Sequence, residues 1–350
     1  MRRTDLRSKK PPPHSSWVTR SRPLLIRTAC TTIVLLLLAC LWLIAGCSED
    51  SPSEPEERSV PHQERWGIYA LDRATGDVTL IYSSARKIET LRLNPAGDRL
   101  VFSCEMDGDG DSYREICTLG VDGDSLVRLT DNDHWDLYPC WSPDGDRITF
   151  LSWRHTNLDI YIMNAPDGGN QHLLYDSGFH DSDLHWQGDR IVFTRNSQIW
   201  IMNEDGTGDR QVTDPPRAGQ WGQANLPFGD YDPRLHPDLD RIVFSRLLDD
   251  TSVHGNYDFF SIPADSGAEQ RLTETGYSQS LASFSRTGEE LVYVVGAIGT
   301  QGKYDLYLMN QDGSNNHDIT PEYFPDNFLC QFAVFSANDA VIYFIGEWWE

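Results

Sequence analysis

Three carboxylates set close together are the first place in this chain where chemistry could occur. Asp107, Asp109 and Asp111 alternate with glycines. That spacing lets several carboxylates converge on a hard cation such as Ca2+, which takes about six to eight oxygen ligands. The EF-hand pattern is left incomplete, with Ser112 where that loop needs Gly and Thr118 where it needs the bidentate Glu. The competing reading is a solvated hairpin tip. His134, His155, His180 and His185 are candidate ligands, yet none belongs to a close pair on a helix of the sort zinc sites use. Ser278 lies in Gly-Tyr-Ser-Gln-Ser, without the final Gly of a nucleophile elbow. No glycine cluster opens a helix, so no nucleotide or dinucleotide fingerprint is present and no cofactor beyond Ca2+ is expected.

Two further sets of residues suit recognition better than reaction. Trp135, Trp221, Phe228 and Tyr323 fall in long, varied connections. Exposed aromatics there would serve as interface anchors, and the alternative is that each folds back over its own sheet. The 214–230 connection is the best single candidate, being longer than the roughly 12–15 residues at which loops tend to be functional or disordered. Arg92, Cys140, Arg234 and Ser283 occupy equivalent positions before four similar turns. Arg92 and Arg234 could therefore hold an anionic segment, or pair with acids of neighbouring repeats.

The elements that would position these residues are strands. Leu137–Tyr175 reads as four short strands separated by turn-forming Ser-Pro-Asp-Gly and Ala-Pro-Asp-Gly-Gly-Asn stretches. The unit recurs. Inner hairpins turn at Gly97, Gly145, Gly188, Leu239, Gly288 and Asp339, spaced 48, 43, 51, 49 and 51 residues apart. Outer hairpins begin at Ile68, Ile116, Ile160, Ile199, Phe259 and Leu306. Six of each make six four-stranded blades only if the first outer hairpin completes the blade begun by the last inner one. The expected fold is all-β: a six-bladed β-propeller, monomeric, closed by its N-terminal outer hairpin so that no sheet edge is left open.

Residues 1–46 carry eight Lys/Arg and one acid, all ahead of an uncharged, apolar run over 28–46 that ends Leu-Ile-Ala-Gly. This is a secretory signal pattern. Cys47 directly after Ala-Gly resembles a bacterial lipobox, in which the cysteine is lipidated and the protein held at a membrane. An uncleaved membrane span is the other reading. Residues 47–65 are acidic and Pro-containing and read as a disordered tether. From residue 47 onward 21 Lys/Arg face 52 Asp/Glu, a formal net charge of −31, which argues against nucleic acid or anionic headgroups as partners. Of the seven cysteines, Cys104 and Cys117 stand diagonally on the two arms of one hairpin. A bridge would require Cβ atoms about 3.5–4.5 Å apart, so a disulfide and a pair of free thiols are both open.

The repeat WSPDGDRITF, followed by DIYIMN, an Asp-Gly turn and a terminal Leu-Thr or equivalent, resembles the WD-like propeller repeat of TolB-type proteins over roughly residues 66–350. The resemblance implies an exported, non-enzymatic interaction module of the bacterial cell envelope, periplasm-facing or at the cell surface. Its partner would be an envelope protein, a peptide or a peptidoglycan-associated component. This chain departs from TolB in having only eighteen residues between Cys47 and Trp66, where TolB has a separate α/β domain. Sugar-lyase propellers related to this family place His and a metal on the loop face, so a metal-assisted polysaccharide lyase or hydrolase is the enzymatic alternative.

Overall fold

The computed structural model describes residues 58–349 except 63, 107–112, 250–254 and 297–303. All of these lie in the compact unit Glu57–Glu350. The signal segment, Cys47, most of the tether and the Asp107, Asp109 and Asp111 loop lie outside the described residues.

Twenty-four strands form among the described residues. The chain opens with a hairpin of β1 (Trp66–Asp72) and β2 (Val78–Ser84). The first complete four-stranded sheet is β3 (Ile88–Leu93), β4 (Arg99–Glu105), β5 (Arg114–Gly120) and β6 (Val127–Arg128). The second is β7 (Asp136–Trp141), β8 (Arg147–Ser152), β9 (Asp159–Asn164) and β10 (His172–Tyr175). The third is β11 (Asp181–Gln187), β12 (Arg190–Arg195), β13 (Gln198–Asn203) and β14 (Arg210–Gln211). The fourth is β15 (Asp230–Leu235), β16 (Arg241–Asp249), β17 (Asn256–Pro263) and β18 (Gln270–Arg271). The fifth is β19 (Ser278–Phe284), β20 (Glu290–Gly296), β21 (Tyr304–Asn310) and β22 (His317–Asp318). Its sheet joins the fourth through one parallel ladder pair, Tyr257 with Ser278. Finally β23 (Phe328–Phe335) and β24 (Val341–Trp348) pair with each other, and β24 pairs with β1 in the order β2-β1-β24-β23.

The N-terminal hairpin thus completes the last sheet, with Trp66 opposite Glu347 and Asp72 opposite Val341. The innermost strands β3, β7, β11, β15, β19 and β23 each touch the next, and β23 touches β3. The ring is closed, as the count of hairpins required.

Local chemistry explains the repeat. All six inner-turn positions are left-handed: Gly97, Gly145, Gly188 and Gly288 at no steric cost, and Leu239 and Asp339 at φ 62° and 57° in the same place. Side chains cap these turns, as where Asn94 Oδ1 accepts from the backbone N–H groups of Gly97, Asp98 and Arg99, each at 3.0 Å. The outer turns need glycine for a second reason. A Cβ on Gly206 would come 2.7 Å from the Leu174 carbonyl oxygen of the preceding blade.

The core lies between blades. Val101 and Ile116 of the first pack with Trp141, Phe150 and Tyr161 of the second. Val192 and Ile201 of the third pack with Phe244 and Phe260 of the fourth. Three blades share a further device at the start of the innermost strand. The fully buried carboxylates of Asp136, Asp181 and Asp230 pair with Arg154 (3.0 Å), Arg195 (2.9 Å) and Arg246 (2.6 Å). Each guanidinium lies over a phenylalanine of its own blade, Phe150, Phe193 or Phe244.

Candidate interaction face and channel

Strand order gives the ring two unlike faces. One carries the six inner turns and the outer turns, and the other carries the connections between second and third strands and between blades. Six aromatics are highly exposed among the described residues: Tyr113, Trp153, Phe179, Trp221, Tyr277 and Trp349. All six sit on the second, loop-bearing face. Trp221 is the extreme, at 71% exposure. Trp153 meets Trp135 edge-on at 6.0 Å and the His180 ring at 5.0 Å, forming a short aromatic ladder across three loops.

The four aromatics singled out from the sequence therefore divide. Trp221 is presented as expected. Trp135 is half-buried, lies within cation–π range of Arg114 at 5.9 Å, and lines a cavity of about 210 Å³ with Glu89, Tyr138 and Phe332. Phe228 is not exposed. At 2% it is buried with Tyr231, Leu247 and Tyr257 beneath the 214–230 loop, capped by the Arg217 guanidinium 3.2 Å from its ring centre. Tyr323 is half-buried against Phe324, and its hydroxyl donates to the Gly76 carbonyl at 3.0 Å, tying the last loop to the N-terminal hairpin. Trp153, Phe179, Tyr277, Tyr113 and Trp349 were not anticipated. Their signal, an aromatic within one or two residues of a glycine or at a strand end, is too weak to read alone.

The channel is built by a repeated irregularity. Each innermost strand shifts register once, beside Thr90, Tyr138, Asp183, Asp232, Leu281 and Phe332. All six residues have φ between 49° and 58°. Left-handed backbone at Tyr, Leu or Phe costs of order 1–3 kcal/mol, and a bulge of this kind re-aims the side chains that follow it. Two residues on stand Arg92, Cys140, His185, Arg234, Ser283 and Val334. All but Arg234 line a cavity of about 430 Å³ that opens on the turn face.

This ring is electrostatically unusual. Arg92 Nη1 donates to the Leu91 carbonyl (2.8 Å), and Arg234 donates to the carbonyls of Ala282 (2.8 Å) and Pro233 (2.7 Å). Neither arginine forms a salt bridge among the described residues, so the expected alternative of pairing with neighbouring acids is not realised. Burial, and after it the Arg234 charge, lowers the Arg92 guanidinium to about 9. Burial and both arginines hold the His185 imidazole well below its usual range. Its Nδ1 accepts the Leu235 N–H at 3.1 Å, which places the ring proton on Nε2. On the loop side, burial and Asp183 push the Asp232 carboxyl up to about 7 against the pull of the two arginines.

The Cys104 and Cys117 thiols are neighbours but are not bridged. Cys104 stands opposite Glu115 and Cys117 opposite Phe102, a diagonal register, and both are free thiols rather than a disulfide. The histidines do not converge. His180 Nδ1 accepts from the Leu158 N–H, His155 lies 3.5 Å from Asp159, and His185 faces the channel. Among the described residues no three His, Cys, Asp or Glu side chains are grouped as metal ligands.

A closed ring of six four-stranded blades around a side-chain-lined channel defines a β-propeller. No family model matches the chain. A TolB homologue of Chlorobium luteolum is 28% identical over 130 residues, 36% of this chain and 29% of that protein. The Tol-Pal system protein TolB of Anaeromyxobacter dehalogenans is 31% identical over 106 residues, 29% of this chain and 24% of that protein. A solved structure from Agrobacterium tumefaciens assigned as TolB superposes with a TM-score of 0.60 at 17% identity, covering 82% of this chain and 99% of that one. The chain spans less than half the length of the curated relatives it matches. Its propeller is similar to those of TolB proteins.

Proposed function

We propose that this protein is a non-enzymatic interaction module of the bacterial cell envelope, tethered through lipid on Cys47, that captures a partner protein on its loop face. One observation carries the reading: among the described residues all six exposed aromatics stand on that face and none on the other. Fully burying one such side chain is worth about 1.5–3 kcal/mol, which a partner surface would recover on docking. Exposed Asp131, Asp133, Asp176, Asp214 and Glu274 surround them. The complementary surface therefore has apolar pockets with a basic or polar rim. Such a partner is an envelope protein or peptide, peptidoglycan-associated ones included. Similarity to TolB proteins, one of them named for the Tol-Pal system, supports the compartment.

The test is crosslinking in intact cells, paired with membrane fractionation of the Cys47→Ser variant. The reading expects one recurrent envelope protein to be captured, and the variant to leave the membrane fraction. Capture of nothing reproducible, or an unchanged membrane fraction, would remove the respective half of the proposal.

A further inference from the structure

The turn-face cavity carries chemistry that the loop-face reading does not use. The chain has 53 Asp/Glu against 29 Lys/Arg, yet among the described residues no carboxylate lines this cavity, whereas Arg92, Arg286 and His185 do. Its walls include the aromatic Trp141, Trp186, Phe284 and Phe335 and several serines. An electropositive recess in so acidic a protein selects for anions.

Arg92 says which kind of anion. It is only 8% exposed, and Nη1 is taken by the Leu91 carbonyl. Nε and Nη2 are buried without a hydrogen-bond partner. Those two N–H groups form one edge of the guanidinium, the edge that a carboxylate takes side-on through both oxygens. The same fold shows what ordinarily fills it. Arg195, 5% exposed, gives Nε to Asp181 (2.9 Å) and Nη2 to the Tyr175 hydroxyl (2.9 Å). Asp183 and Asp232 lie in the adjacent ring of the channel but make no such bond to Arg92. A buried cation with two unmade hydrogen bonds is costly, and a ligand that completes them is favoured by the same amount. Arg234, bonded to carbonyls rather than to an acid, adds a second positive charge behind the cavity wall, and His185 Nε2–H a further donor on it.

We infer that the turn-face cavity is a receptor for a carboxylate borne on an apolar stem, in which a rotation of the Arg92 side chain turns its now-covered Nε–Nη2 edge onto the carboxylate and the stem lies between the aromatic walls. At about 430 Å³ the recess is the size of a small-ligand pocket. It admits either the C-terminal end of a peptide or a free organic acid. This site is independent of the loop face.

The experiment titrates the purified full chain by calorimetry and tryptophan fluorescence with acetate, phenylpropionate, inorganic phosphate, and one tripeptide ending in Phe as the free acid and as the amide. The expected result is binding of phenylpropionate or of the acid tripeptide, weaker binding of acetate, and none of the amide. Arg92→Gln is expected to lose about 10–100-fold in affinity, with Arg92→Lys intermediate because the fork is gone. Melting of ligand-free Arg92→Gln should be unchanged or higher, which a purely structural role for Arg92 would not give. Should that variant fail to fold, Ser283→Glu supplies a carboxylate from the same ring and is expected to abolish ligand binding while raising the melting temperature. Preference for the acid tripeptide over phenylpropionate identifies a peptide terminus as the source, and the reverse preference a free acid. Equal binding of acid and amide, phosphate binding as tight as any carboxylate, no binding at all, or full affinity in Arg92→Gln overturns the inference.

Discussion

Tyr69 of the first strand stacks on Phe344 of the last, with ring centroids 5.5 Å apart and planes inclined by 19°. Its hydroxyl accepts a hydrogen bond from Trp348 Nε1 at 3.2 Å. The two ends of the chain are therefore joined by aromatic packing as well as by the β1–β24 ladder. Because Tyr69 is fully buried in the cluster with Phe324 and Phe328, Tyr69→Ala should cost about 3–5 kcal/mol and Tyr69→Phe about 1 kcal/mol. Urea unfolding checks both. A change near zero for the alanine variant would mean that the closing blade does not contribute to the cooperative unit.

Asp230 and Arg246 form a two-point pair, at 2.6 and 2.8 Å, with the carboxylate wholly buried. Removing one partner leaves a buried charge. Arg246→Met should destabilise by about 3–5 kcal/mol, and the Asp230→Asn/Arg246→Met double variant should recover much of that loss. A double variant no better than the single would contradict the role assigned to the pair.

Asp232 makes stability depend on pH in a definite direction. Its carboxyl is raised to about 7, first by burial and then by Asp183, while Arg92 and Arg234 act the other way. A raised carboxyl keeps its proton longer in the folded chain than in the unfolded one. Its stabilising contribution is thus complete below about pH 4 and lost as pH rises through about 7. Asp232→Asn should therefore raise the melting temperature at pH 8 by about 2–5 °C and change little at pH 4. Equal effects at both pH values would show that the residue does not titrate in this window.

Much of this molecule was legible from turn chemistry. The half-blades at the two ends forced the closure that Trp66–Asp72 makes with Val341–Glu347, and turn residues recurring every 43–51 positions marked the inner turns even where Leu239 and Asp339 stand in place of glycine. The channel bulges were not legible, because Thr90, Tyr138, Leu281 and Phe332 are residues that local preference keeps out of left-handed backbone; only closure of the ring imposes them. Phe228 was misjudged for a related reason. Which aromatic of a long loop is buried depends on how the loop folds on itself, here through Gly219 and Phe228 bonded at 2.9 Å and Arg217 over the ring. Arg92 and Arg234 were found by position in the repeat, but their lack of acidic partners is a property of the assembled channel.

The two faces can be compared directly. Crosslinking in intact cells would be run with the full-length protein, with a Trp153→Ala/Phe179→Ala/Trp221→Ala variant of the loop face, and with Arg286→Ala on the turn face, each confirmed folded by its melting curve. The prediction is that the captured envelope protein is lost from the loop-face variant, by about tenfold or more, and retained by the turn-face variant. Undiminished capture by a folded loop-face variant, or loss confined to Arg286→Ala, would contradict it.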